Sequence, residues 1–236
     1  LMIGEESKRY VPLYDEMTPK GVSYDQLRVI SGRVYSYLKS HNIGKEDFVM
    51  IKLPRGVQPI IAMIGVWRAG AAFVLVEDTL APDRINFMYK DCGCKLEITS
   101  EVWEEINHCE PLDGYEETDP HDAAFAVYTS GTTGVPKGVL QEYGNLERCI
   151  RSFEYEGEHV AFPGARFALA APMNFVPSIM VSYYILYTGY AKEFIISYST
   201  VRNPVGLIKF LLSKKINVFF LTPTYAKKFK GRTGPF

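Results

Sequence analysis

The feature that most constrains the fold is a regular alternation of short apolar stretches with longer amphipathic ones. FVMIKL, residues 48 to 53, predicts a buried strand, VQPIIAMIGVWRAG predicts a helix that ends at Gly70, and AFVLV, residues 72 to 76, predicts a second strand. Two parallel strands need a crossover of about a dozen residues or more, and a helix of this length supplies it. The three segments therefore predict a β-α-β unit.

The same alternation continues on both sides of this unit. Before it, SYDQLRVISGRVYSYLKSHN predicts an amphipathic helix with Ser23 as its N-cap. After it, the pattern predicts, in order, a helix after Pro82, a strand in KLEITS, a short helix near residues 102 to 106, strands in AAFAVYT and GVLQEY, a helix in NLERCIRSFEYEG, a strand in RFALAAP, a helix in PSIMVSYYILYTG, a strand in KEFIIS, a helix in PVGLIKFLLSKK and a strand in NVFFLTP. This order predicts an α/β fold with largely parallel sheets flanked by helices.

Composition and charge disfavour several classes of function. With 236 residues, of which 47% are hydrophobic, the chain can bury the core of one large domain or of two small α/β units. A net charge of −1, with Lys and Arg scattered along the chain, gives no reason to expect a nucleic-acid partner. No apolar run approaches the ~20 residues of a membrane span, and the opening LMIGEESKRY lacks the pattern of a signal peptide. We therefore expect a cytoplasmic protein with no membrane partner.

The cysteines fit the same compartment. Cys92, Cys94, Cys109 and Cys149 are typical of a reducing environment, where thiols stay free and are often buried. Three of them lie near His108, which raises the alternative of a metal site. However, C-x-C followed by H-C lacks the C-x2-C spacing that lets two thiolates share one ion. We therefore expect no metal site here.

A different segment concentrates groups that bind anions. YTSGTTGVPKG, residues 128 to 138, places hydroxyls, glycines and a lysine between two apolar stretches. Gly131 and Gly134 let backbone N–H groups approach a ligand closely, and Lys137 adds a positive charge, a set that suits phosphate oxygens. The segment is not a P-loop, because G-x4-G-K-[ST] requires a hydroxyl residue after the lysine, where Gly138 stands. On composition alone, an ordinary turn is the alternative.

The full eleven-residue string resembles, position by position, the signature loop of the adenylate-forming enzymes. This superfamily contains acyl-CoA synthetases, luciferases and the adenylation domains of peptide synthetases. Further motifs of adenylation domains are similar in order and spacing to VSYDQL (22–27), to WRAGAAFVLVEDTLAPDRI (67–85) and to NVFFLTPT (217–224). The resemblance covers essentially the whole chain. It indicates the N-terminal half of an amino-acid adenylation domain of the nonribosomal-peptide-synthetase type.

The resemblance implies a two-step reaction. A carboxylate attacks the α-phosphate of ATP to give an acyl adenylate, and a thiol then takes the acyl group. ATP and Mg²⁺ are the implied cofactors, a carboxylic or amino acid is the substrate, and a carrier protein with a phosphopantetheine thiol is the acceptor. The resemblance assigns the ATP phosphates to Thr129, Ser130, Gly131, Thr132, Thr133, Gly134 and Lys137. We expect Tyr128 to end a strand and to pack, and residues 130–137 to form an exposed or disordered loop. A solvated lysine is the alternative for Lys137.

Two departures from the family pattern bear on the substrate. In amino-acid-activating relatives an F-D-x-S motif supplies an Asp that holds the substrate ammonium, whereas this chain has FVPS, with Val176 at the Asp position. Phe175, Val176, Pro177 and Met180 are the residues that the resemblance places at the acyl pocket, and a helix start packed in the core is the alternative. The second departure is VEDTLAP, where relatives usually carry Pro-Leu-Asp-Pro. We expect that change to affect a turn only.

The order of the motifs predicts how the chain is organised. We expect a first α/β subdomain over residues 1–122, and a second part over residues 123–236 that contains the signature loop and part of a second α/β subdomain. The adenine and ribose motifs of the family and its small C-terminal domain with a catalytic lysine would lie outside this sequence. We therefore assign no catalytic residue and expect the isolated chain to be inactive. The alternatives are a non-catalytic nucleotide-binding or scaffolding module, and an interaction protein.

Overall fold

The computed structural model describes residues 11–77, 79–130, 135–155 and 162–220. Within these ranges the elements are, in order, β1 (Leu13–Tyr14), α1 (Tyr24–Ser40), β2 (Phe48–Ile51), α2 (Val57–Arg68), β3 (Ala72–Leu75), α3 (Pro82–Asp91), β4 (Leu96–Ile98), α4 (Ser100–Asn107), β5 (Ala123–Ser130), β6 (Pro136–Glu142), α5 (Tyr143–Tyr155), β7 (Ala165–Leu169), α6 (Val176–Thr188), β8 (Ala191–Ile195), α7 (Tyr198–Arg202), α8 (Pro204–Ser213) and β9 (Val218–Phe219). The predicted α/β fold class is confirmed.

The first sheet has the strand order β4-β2-β3-β5-β6. Its first four strands are parallel, and β6 pairs antiparallel with β5. In β3 all four residues are buried, because helices cover both faces of a parallel sheet. Phe73 on β3 stacks on Phe125 of β5 with ring centroids 5.4 Å apart. This sheet is therefore the apolar centre of its half of the molecule.

The second sheet has the strand order β1-β8-β7-β9, and all its pairs are parallel. Helix α6 covers one face of this sheet and also contacts elements that flank the first sheet. Tyr183 of α6 packs edge-on against Trp67 of α2, with ring centroids 5.3 Å apart. Tyr184 packs against Phe153 of α5 at 5.0 Å. Helix α6 therefore joins the cores of the two sheets.

The two sheets do not divide the chain between residues 122 and 123. Strands β5 and β6 hydrogen-bond into the first sheet, while β1, near the start of the described chain, belongs to the second. Strand β5 pairs with β3 of the first sheet, and β6 pairs with β5 in a short antiparallel hairpin. Strand β6 is therefore added to the first sheet. Sheet membership is a different property from subdomain structure, and the subdomain boundary stays a prediction.

Local signals in the sequence place several helix ends correctly. Ser23 caps α1 in a capping box with Gln26, and Gly70 adopts a φ of 69° just beyond the C-cap of α2. Helix α6 ends at Gly189, which is in the left-handed conformation. Two short elements were not predicted, strand β1 and helix α7. With two and five residues, neither is long enough to show a periodic pattern.

Candidate functional site

Both segments that the sequence singled out lie at the carboxyl ends of parallel strands. Strand β5 runs parallel to β3, with Val74 opposite Ala126, so Thr129 and Ser130 lie toward the edge at which β3 ends. In the second sheet, α6 follows the carboxyl end of β7. Ligands of α/β proteins bind at this edge because the loops that leave the strands converge there. The fold therefore places the two candidate segments where a ligand site is expected.

The signature hairpin, which we define as β5 and β6, carries the first segment. Thr129 pairs with Lys137, and Ser130 pairs with Pro136. The expectation that residues 130–137 form a loop is wrong at both ends, because β5 continues through Ser130 and β6 begins at Pro136. Residues directly opposite each other in an antiparallel pair share one face of the sheet. The strand register therefore brings the exposed Thr129 and Lys137 side by side.

The remaining residues of this segment, Gly131, Thr132, Thr133 and Gly134, lie outside the described residues, and Ser130 is described by its backbone only. Among the described residues no carboxylate forms an ion pair with Lys137. A lysine and a hydroxyl side by side, with no acidic partner in that part of the chain, fit an anionic ligand.

Tyr128 fixes the base of the signature hairpin to α3. Its hydroxyl donates to Oδ2 of Asp91 at 2.7 Å, and a Cβ placed on Gly138 would lie 3.2 Å from its ring. Burial and the bond to Asp91 raise the pKa of Tyr128 far above its usual value, so the phenol stays protonated. The Tyr128 ring thus lies over Gly138, which has no side chain. These contacts agree with a packing role.

The second segment starts helix α6. Phe175 is the N-cap residue and is exposed, while Val176 and Pro177 are half-buried. Met180, one turn after Val176, is 7% exposed, and both pack in the apolar core. The structure thus brings Val176 and Met180 to one helix face and leaves Phe175 on the surface. The core contacts are those of a packed helix start, and the acyl pocket stays a prediction.

Glu77 has a role that the sequence did not reveal. Its Oε1 accepts a hydrogen bond from the backbone N–H of Met173 at 3.0 Å and a second from the hydroxyl of Tyr198. The change from the family's Pro-Leu-Asp-Pro to VEDT was expected to affect a turn only, and that expectation is wrong. The carboxylate of Glu77 links the end of β3 to the segment between β7 and α6.

Glu193 is a second site that sequence analysis missed. It lies in the middle of β8, is completely buried, and accepts a hydrogen bond at Oε1 from the hydroxyl of Ser182 at 2.8 Å. Burial raises the pKa of Glu193 to about 7, although the bond from Ser182 and the charge of Arg55 act in the opposite direction. Its Oε2 and the hydroxyl of Ser178 have no hydrogen-bond partner among the described residues. The available signal was an acidic residue directly before the apolar FII of the predicted strand KEFIIS.

A resident metal would need a set of ligands from the protein. Across the described ranges no three His, Cys, Asp or Glu side chains come together in a way that could hold a metal ion. Mg²⁺ typically keeps several waters and is held by one or two carboxylates and by substrate phosphates. Two described donors at the signature hairpin, the hydroxyl of Thr129 and the ammonium group of Lys137, suit phosphate oxygens. In the same ranges, no helix is both long enough and apolar enough to span a bilayer.

Comparison with known sequences identifies the class. The sequence profile of the AMP-binding enzymes matches residues 6–233, so the chain belongs to the AMP-binding enzyme family. It is 27% identical to surfactin synthase subunit 3 of Bacillus subtilis (strain 168) over 219 residues, which cover 85% of this chain and 17% of that protein. It is 25% identical to tyrocidine synthase 1 of Brevibacillus parabrevis over 222 residues, 86% of this chain and 20% of that protein. The chain thus spans a fifth or less of these relatives, and the predicted resemblance to peptide-synthetase adenylation domains is confirmed.

Solved structures agree on the fold. The N-terminal domain of FACL13 from Mycobacterium tuberculosis, bound to an inhibitor, superposes with a TM-score of 0.84 at 19% identity, over 98% of this chain and 63% of that one. O-succinylbenzoate coenzyme A synthetase (MenE) from Bacillus subtilis, in complex with ATP and magnesium ion, gives 0.77 at 18% identity, over 97% and 64%. The architecture is therefore that of the N-terminal domain of adenylate-forming enzymes.

Proposed function

We propose that this chain forms the phosphate-binding part and one wall of the acid pocket of an ATP-dependent adenylating enzyme. The enzyme joins a carboxylic or amino acid to AMP, releases pyrophosphate and passes the acyl group to a carrier-protein thiol. The single observation that carries the proposal is the placement of the family's signature sequence. Its Thr129 and Lys137 lie side by side at the end of the signature hairpin, toward the carboxyl edge of a parallel sheet.

The chemistry requires donors that neutralise a leaving anion. Hydroxyls at positions 129, 130, 132 and 133, the N–H groups near Gly131 and Gly134, and Lys137 would hold phosphate oxygens, and electrostatic stabilisation of this kind is the main contribution in phosphoryl chemistry. Mg²⁺, when bound with the nucleotide, would neutralise part of the phosphate charge. The exposure of Thr129 and Lys137 leaves both accessible to a nucleotide.

Val176 bears on the choice of acid. An ammonium group buried beside a valine would have no partner, and leaving a charge buried and unpaired costs several kcal/mol. We therefore propose that the preferred acid lacks an α-ammonium group or that another carboxylate binds it. Val176 packs in the core near the start of α6, on the same helix face as Met180.

Pyrophosphate exchange tests the phosphate-binding role. The enzyme that contains this chain is assayed with ATP and a panel of aryl acids and L-α-amino acids, beside the variants Thr132→Ala with Thr133→Ala and Lys137→Met. Each charge-assisted bond to phosphate contributes about 1.5–3 kcal/mol, so the KM for ATP should rise about 10- to 100-fold while the KM for the acid changes little. Lys209→Met, at an exposed lysine of α8, is the matched control and should change neither constant.

Other outcomes separate the alternatives. ATP binding without exchange for any acid would favour a non-catalytic nucleotide-binding module, and no ATP binding would favour an interaction protein. The inactivity of the 236-residue chain by itself stays a prediction, which the same assay measures.

A second experiment tests the acid pocket. Val176→Asp supplies the carboxylate that amino-acid-activating relatives carry at this position, so the acid preference should shift toward L-α-amino acids. Val176→Asn, which has nearly the same size but no charge, is the matched control. An enzyme that already prefers ordinary L-α-amino acids and does not respond to Val176→Asp would show that Val176 lies outside the pocket.

A further inference from the structure

Arg55 connects the carboxyl edges of the two sheets. It lies in the turn between β2 and α2 of the first sheet, and its guanidinium group donates to three backbone carbonyls of the second part of the chain. Nε donates to Ile196 at 2.6 Å, one terminal nitrogen to Leu169 at 2.7 Å, and the other to Ala171 at 2.9 Å. Leu169 ends β7 and Ile196 follows β8. A single side chain thus holds the ends of both central strands of the second sheet.

Glu77 and Tyr198 complete this cluster. The Cζ atom of Arg55 lies 4.6 Å from the centre of the Tyr198 ring, and the Tyr198 hydroxyl donates to Glu77. Glu77 also accepts the backbone N–H of Met173 at 3.0 Å. Burial lowers the pKa of Arg55, but a guanidinium group in a protein stays charged. Arg55 and Glu77, which both follow strands of the first sheet, therefore hydrogen-bond to the segment between β7 and α6. Arg55 bonds to Ala171 and Glu77 bonds to Met173.

The volume of the cavity beside Arg55, Glu77 and Tyr198 shows whether these residues could bind a ligand or only make structural contacts. The cavity lined by Arg55, Glu77, Met173 and Tyr198 has a volume of about 10 Å³. This is at the lower limit for one water molecule, so no substrate fits. The contacts instead fix where residues 171–175 lie, and Phe175 is the N-cap of α6.

We propose that Arg55, Glu77 and Tyr198 are positioning residues, which hold the start of α6 at a fixed place relative to the signature hairpin. The inference rests on the proposed function, in which the hairpin binds the nucleotide phosphates and the start of α6 contacts the acid. A reaction between two bound groups depends on their alignment, and a displacement of about 1 Å can lower the rate about 100-fold. The cluster supplies that alignment because it joins the two sheets at the edge where both segments lie.

Arg55→Lys and Tyr198→Phe test the proposal. Lysine keeps the charge but presents a single ammonium group, so it cannot donate to three diverging carbonyls in the same planar geometry. Arg68→Lys is the matched control. Arg68 also donates to three backbone carbonyls, those of Arg28, Leu112 and Gly114, but these lie on α1 and on the 112–114 segment.

We expect Arg55→Lys to lower kcat/KM for the best acid of the panel by about 10- to 100-fold and to change the KM for ATP less than about twofold. Amide hydrogen exchange should become faster in residues 171–180 and stay unchanged elsewhere. Tyr198→Phe should change the kinetic constant for the acid and the exchange of residues 171–180 in the same direction but less. It tests the proposal by itself if Arg55→Lys does not fold. Arg68→Lys should leave both constants and the exchange of residues 171–180 unchanged.

Two results would overturn the inference. One is that Arg55→Lys and Arg68→Lys lose the same share of kcat/KM for the acid and raise the KM for ATP equally, which indicates general loss of structure. The other is unchanged exchange in residues 171–180 in both Arg55→Lys and Tyr198→Phe. If the wild-type enzyme activates no acid, the proposed function fails by itself, and hydrogen exchange still decides whether the cluster holds the start of α6.

Discussion

Both sheets consist mainly of parallel strands, and they differ in what they bury. The interior of the first sheet is apolar, with Phe73 and Phe125 stacked at its centre and both completely buried. The central strands of the second sheet are also mostly buried, but β8 carries Glu193 against Ser182 of α6. An interior of the first kind gains stability from nearly every group it encloses. The second encloses a group that costs free energy whenever it is charged.

A residue can thus be completely buried in a sheet without being apolar, as Glu193 is. The carboxylate of Glu193 has one described hydrogen bond, from Ser182 to Oε1, and its Oε2 has no hydrogen-bond partner in the described part of the chain. A carboxylate in such surroundings is protonated more readily, which is why its pKa is raised to about 7. The stability of the second sheet should therefore depend on pH near neutrality, and the apolar interior of the first should not.

Replacing a large side chain in the interior of the first sheet should have the largest effect on the free energy of unfolding. Phe73→Ala removes a fully buried ring that contacts Phe125 and Trp67, and should lower the free energy of unfolding by about 3–5 kcal/mol. Urea denaturation of the chain measures it. Phe167→Ala makes the same change in β7 of the second sheet, where the ring is also buried. A loss below about 1 kcal/mol for Phe73→Ala would show that the first interior is not the packed centre described above.

Glu193→Gln should have the next largest effect, and at pH 8 it should raise the free energy of unfolding rather than lower it. The pKa of Glu193 is about 7 in the folded chain against an ordinary value of 4.5, so the folded state binds more protons between these values. Its contribution to stability is complete below pH 4.5 and is lost as the pH rises through 7. The loss is on the order of 3 kcal/mol, since one pKa unit corresponds to about 1.4 kcal/mol.

Denaturation at pH 5 and pH 8 measures the effect. The wild-type chain should lose stability between these values, while Glu193→Gln should remove that part of the pH dependence and stabilise the chain at pH 8. Glu97→Gln is the matched control, because Glu97 of β4 is partly exposed and pairs with Lys52 at the surface. Equal pH profiles for wild type and Glu193→Gln would show that Glu193 is charged in the folded state at no cost.

Much of the fold follows from local patterns, and the exceptions have physical causes. Ser23, Gly70 and the apolar run of α6 specify helix ends and helices through contacts within a few residues. Lys137 was misplaced because its strand is set by pairing with Thr129, and hydroxyl and glycine residues gave no sign of that pairing. Arg55 was missed because its bonds cross up to 141 positions of the chain. A local pattern cannot show which carbonyls a distant arginine will meet.

The candidate site follows the same rule. The signature sequence identifies the phosphate-binding segment because the chemistry lies in consecutive residues, whereas the contacts of Glu77 with Met173 and Tyr198 join three separate parts of the chain. Sequence reasoning expected the change at Glu77 to affect a turn only, which was wrong because the Glu77 carboxylate bonds to Met173 and Tyr198 outside that turn.

Two serines one turn apart in α6 give a smaller and paired effect. Ser182 donates to the carboxylate of Glu193, so Ser182→Ala should cost about 1.5–3 kcal/mol at pH 8, where Glu193 is mostly charged, and less at pH 5. Ser178 has no described partner for its hydroxyl, so Ser178→Ala should be neutral or slightly stabilising. Both are measured by denaturation. Equal losses in the two variants would contradict the assignment of Ser182 as the donor to Glu193.

The smallest effect should come from Tyr128→Phe in the signature hairpin of the first sheet. The change removes the hydrogen bond to Asp91 and keeps the ring over Gly138, so stability should fall by only about 0.5–1 kcal/mol, as for a partly exposed hydrogen bond. Because the hydroxyl points to α3, pyrophosphate exchange should be almost unchanged. Tyr115→Phe, at an exposed tyrosine, is the matched control and should change neither quantity. A large loss of exchange with unchanged stability would mean that Tyr128 acts on the nucleotide, and that the first sheet contributes more than a packed support to the site.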